Sequence, residues 1–193
     1  SYGGNGKGDN ILGRPINSFY GYIADGLFRT EEDIAKHATQ NGGEGLGRIR
    51  YRDLNEDGKI DEDDRTWIGS PHPDFMYGLN IELSYKNFDL SAFFYGVNGI
   101  DVNTYVVKSE TDFWSINDVR SNKGTRLLDA WSPTNPDSNI PAITALNAND
   151  EGRMSTYFVE NGSFLKLRNL QLGYTLPRKI SEKAYIEKCR IYV

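Results

Sequence analysis

The sequence holds a single cysteine, Cys189, among its 193 residues. No internal disulfide can form, which excludes a disulfide-stapled scaffold. Lys/Arg clusters are also missing, and 22 basic against 27 acidic residues leave a net charge of −5, which argues against a nucleic-acid partner. No apolar run approaches the roughly 18 residues of a membrane-spanning helix. The opening SYGGNGKGDN lacks the apolar core of a signal peptide and reads as a flexible, Gly-rich lead-in. Overall hydrophobicity is low, at 38%, yet aromatics are plentiful: 12 Tyr, 9 Phe and 3 Trp, beside 20 Gly. Many Tyr and Gly with few aliphatics point to β-structure with one apolar face. Membrane β-barrels belong to that class and escape hydropathy analysis, because lipid-facing and lumen-facing residues alternate.

The clearest period-two segment covers residues 75–86. Phe75, Tyr77, Leu79, Ile81, Leu83 and Tyr85 fall on one face, and Met76, Gly78, Asn80, Glu82, Ser84 and Lys86 on the other. The run is long for a soluble strand and near the roughly 9–11 residues that cross a bilayer as a tilted strand. Both a barrel strand and a long strand of a soluble sandwich remain open at this point. Lys86-Asn87 reads as a tight turn, with Asn tolerating positive φ. A second strand is expected over residues 88–97, with less clear faces.

Periodicity then stops from residue 98 to 152, apart from a short helix expected around residues 125–130. Strand character resumes over residues 154–160, and Asn161-Gly162 is a hairpin signal. The same residues with Ser163 form a glycosylation sequon, but a turn is the simpler reason for them. A further strand is expected over residues 163–176. Its apolar parity switches near Arg168, as a bulge or a passage from bilayer to solvent would produce. Residues 178–188 read as a short polar helix or loop, and residues 189–193 as the opening of another strand. Towards the N-terminus, residues 16–28 read as one strand, and Thr30-Glu31-Glu32-Asp33 as a capped helix start. Short and long connections thus alternate along the chain. Outer-membrane barrels do this, with short periplasmic turns and long extracellular loops.

Residues 53–64, DLNEDGKIDEDD, match a calcium loop in the spacing of their oxygen donors. Asp53, Asn55 and Asp57 stand at positions one, three and five, and Gly58 at six, where the chain must turn sharply. Lys59 at seven would contribute its carbonyl oxygen, and Asp61 at nine would bind directly or through water. Asp64 occupies position twelve, where a longer Glu is usual. The flanks are not those of a helix–loop–helix pair: residues 48–52 look extended, and Pro71 and Pro73 follow. Bound calcium would stiffen a long loop by offsetting repulsion among its acids. The competing reading is an acidic surface turn without metal.

No catalytic constellation emerges, so an enzyme is not expected. Ser70, His72 and Asp74 have the residue types of a hydrolase triad, but their spacing does not converge in an extended segment and no G-x-S-x-G elbow is present. The Gly-rich start fails the Walker spacing. Trp114 and Trp131 lie in the long aperiodic stretch. They are candidates for stacking on a sugar or peptide, or for pinning the loop.

Several motifs occur together and in order: GRIRYRDLNEDGKIDEDDR (residues 47–65), IGSPHPDF (68–75), YGL (77–79), YKNFDL (85–90), WSPTNP (131–136) and GSFLKLRNLQLGYTLP (162–177). In these the chain closely resembles the SusC/RagA family of TonB-dependent outer-membrane transporters of Bacteroidota. The resemblance implies an all-β fold: part of an antiparallel transmembrane barrel, 22-stranded when whole, with long extracellular loops and short helices. It implies import of glycans or peptides across the outer membrane with a SusD-like surface lipoprotein as a lid, powered through TonB. Residues 1–193 would form part of that one barrel domain, with plug, TonB-contacting part and closing strands outside the chain. The rival expectation is a secreted, calcium-stabilised β-rich domain that binds carbohydrate.

Overall fold

The computed structural model describes residues 13–40, 42–114 and 122–193; the Gly-rich start therefore lies outside the described residues. In chain order the elements are β1 (Phe19–Gly21), β2 (Ala24–Leu27), α1 (Glu31–Lys36), β3 (Ile49–Tyr51), β4 (Thr66–Gly69), β5 (Phe75–Tyr85), β6 (Phe88–Asn98) and β7 (Asp101–Asn103). They continue with α2 (Tyr105–Thr111), β8 (Val159–Asn161), β9 (Phe164–Thr175), α3 (Arg178–Ser181) and β10 (Arg190–Tyr192). Two compact units result, one of residues 1–72 with 101–161, the other of residues 73–100 with 162–193. Among the described residues no helix is long and apolar enough to cross a membrane.

The second unit is an antiparallel sheet in the order β10-β9-β6-β5. Its register lines up one apolar face row by row. Leu79 pairs with Phe94 and Phe94 with Leu167; Ile81 with Ala92 and Ala92 with Leu170; Leu83 with Leu90 and Leu90 with Leu172. At the turn end, Tyr85 pairs with Phe88, Phe88 with Tyr174, and Tyr174 with Ile191. The opposite face carries Asn80, Glu82, Ser84, Asp89, Ser91, Lys166, Asn169 and Gln171, with Met76, Phe93, Tyr95, Val97 and Phe164 towards the end away from the turn. Leu79, Leu83, Leu170 and Leu172 are each more than half exposed, so nothing in the unit covers the apolar face. Aromatics cap both ends of that face, with Phe88 and Tyr174 at 4.7 Å between ring centroids and Phe75 and Tyr77 at 5.6 Å. Beside the second pair, Tyr77 lays its ring over Gly96, where an added Cβ would sit 2.2 Å from the ring.

The parity switch in β9 is a bulge. Phe93 pairs with Asn169 and Phe94 with Leu167, which leaves Arg168 without a partner across the ladder. The extra residue brings Leu165 and Leu167 to the same face as Leu170 and Leu172. The turn between β5 and β6 is tight, as its sequence indicates, but the positive φ (55°) falls on Lys86 and not on Asn87.

The Asn161-Gly162 hairpin does not form. β8 pairs with β7, and β9 pairs with β6 and β10. Neither Asn161 nor Gly162 takes the positive φ that a two-residue hairpin turn demands. The long strand β6 offers β9 matched apolar rows, whereas β8 has three residues to offer any partner. The expected strand over residues 154–160 is accordingly shortened, with a 3₁₀ turn at Thr156–Phe158 before β8.

The first unit consists of short paired strands around a core of Leu27, Ile49, Tyr51, Ile60, Phe113, Trp131 and Phe158. The single strand expected over residues 16–28 is split into β1, which pairs with β4, and β2, which pairs with β3. The break falls at Tyr22, whose N–H donates to the Met154 carbonyl (3.0 Å) while its own carbonyl accepts from Thr156 N–H (2.9 Å). Backbone groups there are satisfied by a distant segment and leave the ladder. Helix α1 starts as its sequence indicates: Thr30 Oγ1 accepts from Asp33 N–H (3.1 Å) and Asp33 Oδ2 accepts from Thr30 N–H (3.0 Å). A 3₁₀ helix at Thr125–Asp129 stands where the short helix is expected.

Candidate functional site: the acidic loop and its supports

Strand β3 delivers the chain to Asp53, and the loop then coils on its own side chains. Asp53 accepts from the N–H groups of Glu56 (2.7 Å) and Gly58 (2.9 Å). Asn55 Oδ1 accepts from Asp57 N–H (3.1 Å), and Asp57 Oδ1 from Lys59 N–H (2.9 Å). Asp61 Oδ1 accepts from Asp63 N–H (2.7 Å). Gly58, at φ 83°, supplies the sharp turn that position six requires. Desolvation pushes the Asp53 carboxyl up, but the amides of Gly58, Glu56 and Asp57 outweigh it and hold the group below the usual carboxylate range.

Ile60 anchors the loop to the core. Its side chain is buried in the core, its N–H donates to Thr39 O (2.9 Å), and Thr39 N–H donates to Gly58 O (3.0 Å). Asp64 lies deeper than its position suggests. It is fully buried, with Oδ1 accepting from Leu54 N–H (2.7 Å) and Oδ2 from Asp61 N–H (2.8 Å). It latches the two ends of the loop together. Among the described residues no three Asp, Glu, His or Cys side chains converge as a metal-binding group. The donors whose chemistry and exposure suit a hard cation are Asp53, Asn55, Asp57, Asp61 and the Lys59 carbonyl.

The two tryptophans separate. Trp131 is 8% exposed and belongs to the core, with the Gly47 backbone pressed against its ring. Trp114 is 38% exposed and follows the core residue Phe113. Ser70 Oγ accepts from His72 N–H (3.2 Å), which makes it a turn residue, and Asp74 lies against Gly99.

Sequence reasoning missed the polar groups that hold this unit together. Arg48 donates to Glu151 Oε2 (2.8 Å), and Glu151 Oε1 accepts from Ile49 N–H (2.8 Å). Gln40 Nε2 donates to Asn149 Oδ1 (2.8 Å), and Gln40 Oε1 accepts from Tyr51 N–H (2.7 Å). Burial pushes the Glu151 carboxyl above its usual range despite the Arg48 guanidinium beside it. Asp112, fully buried, accepts from Arg126 through two nitrogens (2.7 and 3.1 Å), from Thr111 Oγ1 (2.8 Å) and from Tyr157 Oη (2.8 Å). Burial pushes Asp112 up; those donors outweigh it and hold the carboxyl low, while burial and Asp112 push the Tyr157 phenol up. Arg48 and Glu151 stand 103 positions apart, so no local pattern announces the pair.

No family model matches the chain. Curated relatives do. TonB-dependent receptor P3 of Formosa agariphila is 34% identical over 181 residues, which is 94% of this chain and 17% of that protein. TonB-dependent receptor SusC of Bacteroides thetaiotaomicron is 32% identical over 137 residues, 70% of this chain and 12% of that protein. The chain therefore spans about a sixth or less of these relatives. Among solved structures, the RagAB peptide importer in its 'open-open' state matches with a TM-score of 0.62 at 24% identity, covering 93% of this chain and 18% of that one. Its 'closed-closed' state matches with a TM-score of 0.60 over 91% of this chain. TonB-dependent receptors such as SusC and RagA are outer-membrane proteins, and the outer membrane is where this segment belongs. The matched fold and the two-faced sheet make the chain a SusC/RagA-like segment of a TonB-dependent β-barrel.

Proposed function

We propose that this segment is one sector of the wall of an importer that carries glycans or peptides across the outer membrane. In this reading it works with a SusD-like lipoprotein and draws on TonB through parts of the receptor outside the chain. It performs no catalysis. The observation that supports the reading is the uncovered apolar face of β5, β6 and β9, backed by a polar face on the same strands. At roughly 3.3 Å per residue and a tilt near 40°, an 11-residue strand such as β5 rises about 25 Å, the height of a barrel's apolar band. A secreted carbohydrate-binding β-domain would have to leave that face in water.

Cysteine labelling in membranes tests the reading. In the full receptor freed of native cysteines, Cys189 included, single cysteines are placed at Leu79, Asn80, Leu170 and Gln171. A water-soluble thiol reagent is expected to modify positions 80 and 171 and to spare 79 and 170. Equal labelling at all four would sink the barrel-wall reading.

The acidic loop is proposed to hold calcium through Asp53, Asn55, Asp57, Asp61 and the Lys59 carbonyl, with Asp64 shaping the loop. The spacing of these donors and the anchored Ile60 support it. The ion would supply charge compensation and rigidity. Calcium titration calorimetry should give a binding signal that Asp57→Ala removes; a parent receptor that takes up no calcium retires the site.

A further inference from the structure

At the turn end of the sheet, a cavity of about 590 Å³ lies between the Lys86-Asn87 turn and the β9–β10 connection. Arg178 and Lys188 line it together with Glu187 and Asn87. Two cations, one carboxylate and one neutral amide thus meet at one opening. Arg178 donates Nε to Glu182 (2.8 Å) while its side chain stays 79% exposed. Lys188, Glu187 and Lys86 are exposed as well. On the same end of the sheet, the apolar face finishes in Tyr85, Phe88 and Tyr174, the aromatic rows that mark a membrane–water boundary in a barrel. The connection itself exposes Ile180, Tyr185 and Ile186.

We propose that this cavity binds the zwitterionic phosphoethanolamine headgroup of a phospholipid, with the acyl chains running along the neighbouring apolar face. The inference rests on the barrel-wall reading. The charges decide the headgroup. Arg178 and Lys188 supply donors for a phosphate, Arg in the fork geometry that suits it. Glu187 supplies an acceptor for an ammonium, which a purely anionic headgroup lacks; against phosphatidylglycerol the same carboxylate is repulsive. Asn87, as a side-chain amide, can serve either part. A lipid bound at one such site on each receptor would fix the height of this strand end in the bilayer.

The test uses the full receptor, delipidated in detergent and then examined by native mass spectrometry with added phosphatidylethanolamine or phosphatidylglycerol. Phosphatidylethanolamine is expected to be retained at least about tenfold better. Arg178→Gln with Lys188→Gln should abolish that retention. Glu187→Gln should erase the preference between the two lipids and leave binding of phosphatidylglycerol in place, which separates recognition from loss of fold. Preference for phosphatidylglycerol in the parent, equal retention of both lipids, or unchanged retention in the double variant would overturn the proposal, as would binding of inorganic phosphate alone. A receptor that enters nanodiscs normally and still retains no lipid counts against this site and spares the barrel-wall reading; one that fails to enter bilayers counts against that reading.

Discussion

Glu151→Leu is expected to destabilise the loop-rich unit by about 3–5 kcal/mol, the range for a buried ion pair that loses one partner. The side chains of Arg48 and Glu151 are 10% and 1% exposed, so the guanidinium left behind cannot recover its hydration. Arg48 Nη2 already has no hydrogen-bond partner, and burial already pushes the Arg48 pKa down, so the site has little capacity to hold the charge alone. The Ile49 N–H would lose its acceptor in the same step. The readout is limited proteolysis of the full receptor, with cleavage within residues 101–161 of this unit expected to accelerate roughly a hundredfold or more as the open population rises. Replacing both partners, with Arg48→Met and Glu151→Leu together, should return most of the loss, because an apolar pair of similar volume removes the stranded charge. If Glu151→Leu alone leaves proteolysis unchanged, the pair does not hold the unit.

This pair also shows where the reach of the sequence ends. Period two over residues 75–86, with a less regular run over residues 88–97, points to two strands, and the structure has them at Phe75–Tyr85 and Phe88–Asn98. The parity switch at Arg168 and the Thr30 capping box are likewise local, and the structure shows a bulge and a helix start at those places. What fails is partner choice. Asn161-Gly162 is a local hairpin signal, yet the partner of β9 is β6, some 70 residues earlier in the chain, and matched rows of side chains outweigh turn propensity. The register of Tyr85 on Phe88 leaves a two-residue loop, in which the first residue, Lys86, takes the left-handed φ. In the acidic loop the sharp turn at Gly58 is legible from the spacing, and the residue takes φ 83°. The inward role of Asp64 is not legible there, because it depends on Leu54 and Asp61 amides that the loop brings together only once folded.

Deleting Arg168 and Asn169 together is expected to have the largest effect on assembly of the sheet. The bulge holds one residue that the facing strand does not match; removing it alone would leave Leu165 and Leu167 on their face, whereas removing Asn169 with it takes out one matched position and leaves unbroken period two of the opposite phase. The C-terminal half of β9 is held on both sides, by β6 and by β10, so the N-terminal part is the part that must rotate. Phe164 and Lys166 would then join the apolar face, and Leu165 and Leu167 the polar one. A lysine facing lipid costs about 2–4 kcal/mol at the midplane and less near an interface, and two leucines lose their apolar surroundings besides. The summed penalty is a large share of the stability of a domain. The full receptor carrying the double deletion should therefore lose its compact, heat-modifiable band on electrophoresis. Deleting Arg168 alone removes only the unmatched residue, keeps Leu165 and Leu167 on their face and should assemble like the parent, which assigns the effect to register and not to the arginine side chain. Combining the double deletion with Leu165→Asn, Lys166→Leu and Leu167→Lys rewrites the pattern for the new register and should restore assembly. A double deletion that assembles normally, with a cysteine at position 165 still shielded from water-soluble reagents, would show that β9 absorbs the missing residues elsewhere and that its phase does not set its faces.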